Sequence, residues 1–347
     1  MRRQRHWRLT PSARGPQLAA LTAVAVLLYV GAATGLAAIP GYDAMRHTLA
    51  GVRWGWLAAS LAGVGAALLG YLLAWRGIVR GAGAGGSLTH RQRLAAVVTG
   101  FGGFIGRGGS AIDRYAMLAS GMDDREADVR LAGIDALEHT PLAVGCCAVA
   151  FYLLVQGRTD PPPLDFVWPW AVGPLLGAAI VIPLVILYRD RFRDAQGFRR
   201  YLGIGLDSVA LLGKLMRDPV GGPLAFAGMT LFWVGEMFAL WAGLAAFGVR
   251  VSVPFVILAD AVGYVLSRRA APLGGAGFID AFLALCLWDF NVPLAQAIAG
   301  VFAYRFFSVF AIMPFSFAAL PALRSIGGPG ATPSAEPAVQ PEPGRTR

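Results

Sequence analysis

Residues Ala271–Phe290 read "APLGGAGFIDAFLALCLWDF". A proline and two glycines open the stretch, a long apolar run follows, and one carboxylate, Asp280, sits inside that run. The chain around it is 56% hydrophobic and 14% charged, with a mean hydropathy of +0.58. Soluble domains carry about a quarter charged residues. The apolar residues also come in long blocks, so the chain reads as an all-α polytopic integral membrane protein. In such a protein a charge inside an apolar run calls for a partner or a function.

A membrane helix needs about 20 mostly apolar residues, and at least about 17. Six blocks meet or approach this: Leu18–Ile39, Trp54–Trp75, Pro141–Gln156 (the shortest), Phe166–Leu187, Pro223–Phe247 and Leu294–Leu320. An even number puts both termini on one side. The net charge is +10 and the pI about 10.1, but the arginines cluster between the blocks rather than on a nucleic-acid-binding face. Five precede the first block, four lie between Arg76 and Arg93, and six lie with Lys214 between Tyr188 and Gly222. All three groups fall on one side, which the positive-inside rule makes cytoplasmic, in a cell membrane. The first block is long enough to be a retained anchor rather than a cleaved signal. Residues 1–17 then form a basic cytoplasmic arm, 18–323 one membrane domain, and 324–347, rich in Pro, Gly and Ala, a disordered tail.

Two pairs of apolar pieces are too short to cross: Leu94–Gly106 with Ser110–Met122, and Val253–Ser267 with Ala276–Phe290. Each covers roughly 20 Å against a hydrocarbon core of ~30 Å. Arginine and glycine split both pairs, as "GRGG" at Gly106–Gly109 and "SRRAAPLGG" at Ser267–Gly275. Glycine permits a turn there, and Pro272 stops the incoming helix. The expectation is two re-entrant helical hairpins. Each follows a span and precedes a span, in halves covering about residues 54–156 and 223–320, and the two halves enter the membrane from opposite sides. That order is an inverted repeat, which in transporters places a substrate site near the midplane. The alternative is that Val253–Ser267 and Ala276–Phe290 are two tilted, complete spans, giving about eight or more crossings, with Arg268 and Arg269 as ordinary loop charges in the cytoplasm.

The stretch "GGAGFIDAFLALCLWDFNVPLAQAIAGVFAYRFFSVFAIMP" resembles the C-terminal signature of the lysylphosphatidylglycerol synthase transmembrane-region family. That signature runs Pro-Gly-Gly, a small residue, Gly, two apolar residues and Glu, then an apolar helix and a Tyr-Arg pair. Gly274, Gly275, Gly277, Asp280, Tyr304 and Arg305 match in order. Asp280 replaces the usual Glu, and Leu273 separates Pro272 from the glycines. The first half resembles the family's Pro-x-Arg-x-Gly-Glu…Arg region through Arg107 and Gly109. It departs at Ser110, where Glu is expected, and at Arg114, one residue late. The resemblance implies a flippase-type protein that moves an anionic phospholipid or lipid-linked headgroup between leaflets. The family's best-known members add a soluble aminoacyl-transferase domain. Only a short tail follows here, so synthesis of lysyl-lipid is not expected, although a separate lipid-modifying enzyme remains a candidate partner.

Asp280, Arg305 and Glu236 are the intramembrane charges that most need partners. Asp280 follows the glycine turn by about one helical turn, and a helix starting there offers backbone N–H groups and a positive dipole end suited to phosphate. Arg107, Arg268 and Arg269 flank the two turns and would add charge-assisted bonds to an anionic headgroup. An Asp280–Arg305 pair is equally consistent with a purely structural ion pair, and Glu236 and Asp260 with hydrogen-bonded structural carboxylates. The string "DDREADVRLAGIDALEH", Asp123–His139, reads as an amphipathic, solvated cytoplasmic helix rather than a metal or acid/base site. The segment Tyr188–Asp218 reads as either a surface-lying amphipathic piece or a solvated loop with a short helix. "GAGAGG" at Gly81–Gly86 lacks the βαβ context of a dinucleotide site. No cofactor, metal or catalytic constellation is expected. The rivals to transport are a membrane-embedded transferase acting on a lipid-linked sugar, through Asp280 and Glu236, and a non-transporting partner of a lipid-modifying synthase.

Overall fold

The computed structural model describes residues 15–80, 88–101, 109–157, 164–192, 195–265 and 275–324. Arg107, Arg268, Arg269 and Gly274, with the two turns they were read into, lie outside the described residues, as do residues 1–14 and 325–347. Among the described residues 86% are helical and none is in a strand. The helices are α1 (Gly15–Ala37), α2 (Tyr42–Ala50), α3 (Trp54–Arg80), α4 (His90–Phe101), α5 (Gly109–Ala119), α6 (Asp124–Gln156), α7 (Leu164–Tyr188), α8 (Phe198–Leu215), α9 (Gly221–Ala246), α10 (Val253–Val265), α11 (Phe278–Asp289), α12 (Leu294–Arg305) and α13 (Met313–Arg324). A π turn at Phe306–Phe310 separates α12 from α13.

Among the described residues six stretches are long and apolar enough to cross a membrane: Ala20–Ala37 in α1, α3, α6, Phe166–Tyr188 in α7, α9, and Leu294–Leu323 across α12 and α13. Five match blocks of the sequence within a few residues, and α6 contains the Pro141–Gln156 block. The four pieces read as too short form α4, α5, α10 and α11, of 12, 11, 13 and 12 residues. At 1.5 Å per residue none exceeds roughly 20 Å over its described residues.

The centre of the molecule is the antiparallel seam between α3 and α9. Gly63, Gly70 and Gly77 recur every seven residues in α3, and Gly221, Gly228 and Gly235 do so in α9. A Cβ on Gly70 would lie 2.4 Å from the Phe232 nitrogen, one on Gly77 2.5 Å from the Ala225 nitrogen, and one on Gly235 2.5 Å from the Ala67 nitrogen. The two backbones therefore touch at three points spread over about four turns. Ser60 Oγ adds a 2.8 Å bond to the Ala239 carbonyl. In lipid, apolar side chains gain little by meeting each other, so close backbone packing through small residues is what joins helices.

α6 departs from expectation. The solvated helix and the Pro141 block are one helix of 33 residues, roughly 50 Å long, so it spans the core and projects beyond it. Its start is capped by Asp123, whose side chain accepts from Glu126 N at 2.7 Å. Pro141 lies inside it, which membrane helices tolerate when neighbours satisfy the freed carbonyl. The charged half is not simply solvated. Arg130 and Glu138 are buried. Arg130 donates to the Ile78 and Val79 carbonyls at 2.8 and 2.9 Å, closing the C-terminal end of α3, and to Glu126 at 2.6 Å.

The segment after α7 contains α8, one face of which (Ile204, Leu211, Leu215) is buried against α6, α7 and α9, while Phe198, Tyr201 and Leu202 stay exposed. Ion pairs fasten its polar face. Asp207 takes Arg189 and Arg125, both at 2.8 Å, and Arg200 joins Arg114 on Asp128 at 2.9 and 2.6 Å. α7 is the least embedded span, with 6% of its apolar window buried against 50% for α9.

Two predictions follow from these contacts. Gly70→Ala forces backbones apart and should lower unfolding stability in detergent by about 2–3 kcal/mol. Gly65→Ala, with nothing within 4 Å of its Cβ, should change it by less than about 0.5 kcal/mol. The second concerns acid. Burial alone would raise the Asp207 pKa, but the bonds from Arg189 and Arg125 outweigh it and hold the carboxyl below its ordinary range. A depressed carboxyl contributes stability above its unfolded value and loses it as pH falls through the folded one. A spin label at position 201 on α8 should therefore still be immobile near about pH 4, the ordinary carboxylate value, and become mobile only at lower pH, and Asp207→Asn should make it mobile at neutral pH.

Candidate functional site

The start of α11 carries the chemistry. Gly275 and Gly277 hold φ of 69° and 81°, the left-handed region that glycine enters without strain. A Cβ on Gly277 would also lie 2.5 Å from the Leu28 carbonyl oxygen of α1, so this glycine lets α1 rest on the end of α11. Asp280 follows in the first turn. Its Oδ2 accepts from Gly277 N at 2.8 Å, satisfying one of the amides that a helix start leaves open. Its Oδ1 accepts from Arg305 Nε at 2.5 Å. Both side chains are almost fully buried, at 1% and 3% exposure. The carboxylate the sequence placed beside a phosphate-ready helix end is thus itself bound to that end.

Arg305 closes α12, and the π turn begins at the next residue. Single π turns in otherwise regular helices recur at functional sites. The preceding residue, Tyr304, donates its hydroxyl hydrogen bond to Glu236 of α9. Tyr29 of α1 donates likewise to the Phe302 carbonyl, pinning α1 over the same turn of α12. Glu236 and Asp260 of α10 are both buried. With Tyr304, Arg305, Trp233 and Gly263 they line a cavity of about 30 Å³, room for one or two waters. Four helices, α9 to α12, therefore bring three carboxylates, a tyrosine and a guanidinium into one buried region. Unpaired, such charges would each cost several kcal/mol in an apolar interior.

Of the residues singled out from sequence, Gly275, Gly277, Asp280, Arg305 and Glu236 gather here, with Asp260. Gly109 opens α5 and is buried; on that helix Asp113 accepts from Tyr71 Oη at 3.0 Å, both fully buried. Tyr304 entered the sequence reading as part of a Tyr-Arg pair, not as the partner of Glu236. Trp233 was not singled out at all, yet its Nε1 donates to the Glu138 carbonyl at 2.6 Å, tying α9 to α6. Its position three residues before Glu236, on the same helix face, was the available signal. Among the described residues no group of His, Cys, Asp and Glu is placed to hold a metal ion. No protein-family model matches the chain, and no curated protein does.

Breaking the ion pair from one side should be costly. Arg305→Met leaves Asp280 buried without its cation and should lower stability by about 3–5 kcal/mol. Adding Asp280→Asn, which keeps an acceptor for Gly277 N, should recover part of that loss in the double variant, as read by thermal unfolding in detergent.

Proposed function

We propose that this protein translocates an anionic phospholipid or lipid-linked headgroup across a cell membrane, by alternating access at the Asp280–Arg305 pair. The observation that carries the reading is an ion pair at 1% and 3% exposure within a bundle of six apolar membrane-length helices. Ionisable groups at such positions are expensive and mark substrate pathways. A headgroup phosphate would compete for the Arg305 guanidinium, which suits phosphate in a two-pronged geometry. Released, Asp280 would meet amine or hydroxyl groups of the headgroup, with Glu236 and Tyr304 alongside.

Three further features support the reading. Four helices too short to span come in two pairs, α4 with α5 and α10 with α11, each following a long helix of the glycine seam. Those long helices carry glycine at the same seven-residue spacing and run antiparallel, as the first helices of two inverted halves would, with the short pairs as re-entrant hairpins. The Gly-Gly-Ala-Gly…Asp and Tyr-Arg residues resemble those of the lysylphosphatidylglycerol synthase transmembrane-region family. The arginine distribution favours a cytoplasmic side for both termini, as the positive-inside rule reads it. Burial of Asp280 and Glu236 favours transport over the transferase alternative, which needs a carboxylate reachable from one face.

The test is reconstitution of the full chain into vesicles carrying fluorescent phosphatidylglycerol, with a membrane-impermeant quencher added outside. The wild type should expose inner-leaflet label to the quencher. Asp280→Asn and Arg305→Gln should each slow this at least tenfold while melting as folded proteins. Folded variants that match the wild type, or a wild type no faster than empty vesicles, would contradict the proposal.

A further inference from the structure

Away from the buried pair, the bundle has a second concave site. α6, α7 and α8, with Phe226 of α9, enclose a cavity of about 1330 Å³, above the ~300–1,000 Å³ of most small-molecule pockets. Its deep part is apolar, walled by Val144, Ala148 and Phe151 of α6 and by Leu175, Ala178 and Ile182 of α7. Its shallow end is different in kind. Arg189 and Asp190 follow the end of α7 there, and Lys214 and Arg217 project from the end of α8, while His139 of α6 lines the cleft further in. Three permanent cations face one carboxylate. Arg189 already bonds Asp207, and His139 Nδ1 lies 2.6 Å from the Asp135 carbonyl. Lys214 and Arg217 are exposed and make no ion pair among the described residues.

The register sets the depth. Cys147 Sγ meets the Ala171 carbonyl at 3.5 Å, nine residues before α6 ends and seven after α7 begins, the match an antiparallel pair of consecutive helices gives, with Phe151 at the deep end and Arg189 at the shallow one. From Pro174 to Arg189, α7 climbs roughly 22 Å. That is about half of a bilayer's ~40–45 Å including headgroups, the reach of a lipid in one leaflet. α7 is also the span with least of its surface buried, so the cleft lies beside the most lipid-exposed helix.

The geometry points to this cleft as a binding site for one anionic phospholipid of the bilayer, its acyl chains between α6 and α7 and its phosphate on Lys214 and Arg217. The site is apart from the translocation reading and stands or falls without it, because it requires binding alone.

The experiment uses the full chain in neutral nanodiscs doped with a photo-crosslinking phosphatidylglycerol or, separately, a phosphatidylcholine with the same chains. Labelled peptides are mapped by mass spectrometry. Phosphatidylglycerol should label the facing segments of α6 and α7 in preference to phosphatidylcholine. Lys214→Gln with Arg217→Gln should cut that labelling roughly tenfold or more, since each cation near the surface contributes about a factor of five. Gly177→Trp should block it as well. Gly177 lines the cleft and has nothing within 4 Å of a Cβ, so the ring enters the groove without striking backbone. Equal labelling by the two lipids, labelling untouched by either variant, or a chain-to-chain cross-link across the cleft would each overturn the inference.

Discussion

Everything in this bundle hangs on two helices whose backbones touch. In water, apolar faces drive helices together; in lipid that drive is gone, and close packing of small residues replaces it. The glycines of α3 and α9 make that contact at three points over about four turns. A second close approach follows from the same helix. A Cβ on Gly243 of α9 would lie 2.8 Å from the Gly300 carbonyl of α12, so α12 is drawn onto α9 about two turns from Glu236. One turn beyond Gly300 stands Tyr304, which reaches Glu236, and next to it Arg305, which reaches Asp280. The polar cluster is positioned by glycine spacing.

The cluster is unusual in what it asks of the fold. A guanidinium and a carboxylate leave water together, and their attraction offsets that loss only with good geometry and satisfied hydrogen bonds. Asp280 meets the condition with one oxygen on Arg305 and the other on the Gly277 amide. That amide points at the carboxylate because Gly277 takes a left-handed φ of 81° beneath the α1 backbone. The glycines ahead of Asp280 are thus part of the charge's own solvation. Any ligand that took Arg305 from Asp280 would still leave the carboxylate bound to the helix end, which limits how far it travels.

How much was legible in the sequence differs by element. The six spans were, because a hydrocarbon core imposes a length that apolar composition reports directly. Asp280, Arg305 and Glu236 were, because each interrupts an apolar run. The extent of α6 was not. A helix that leaves the membrane loses its hydropathy signal, and charged residues such as Arg130 read as solvent-facing although Arg130 closes the end of α3. The seven-residue glycine period was in plain view in both helices, but a search for apolar blocks passes over it. The pairing of Tyr304 with Glu236, and of Trp233 with the Glu138 carbonyl, depends on tertiary placement that no local pattern encodes.

The proposed transport depends on α4 with α5 and α10 with α11 entering the membrane as hairpins from opposite sides. Single cysteines at positions 108 and 269, in a protein otherwise free of cysteine, test it most directly in whole cells. A small membrane-impermeant thiol reagent added outside should label position 269, while position 108 should label only when the reagent reaches the cytoplasm. If position 269 labels only from the cytoplasm, α10 and α11 belong to complete crossings with an ordinary loop between them, and the midplane site is lost.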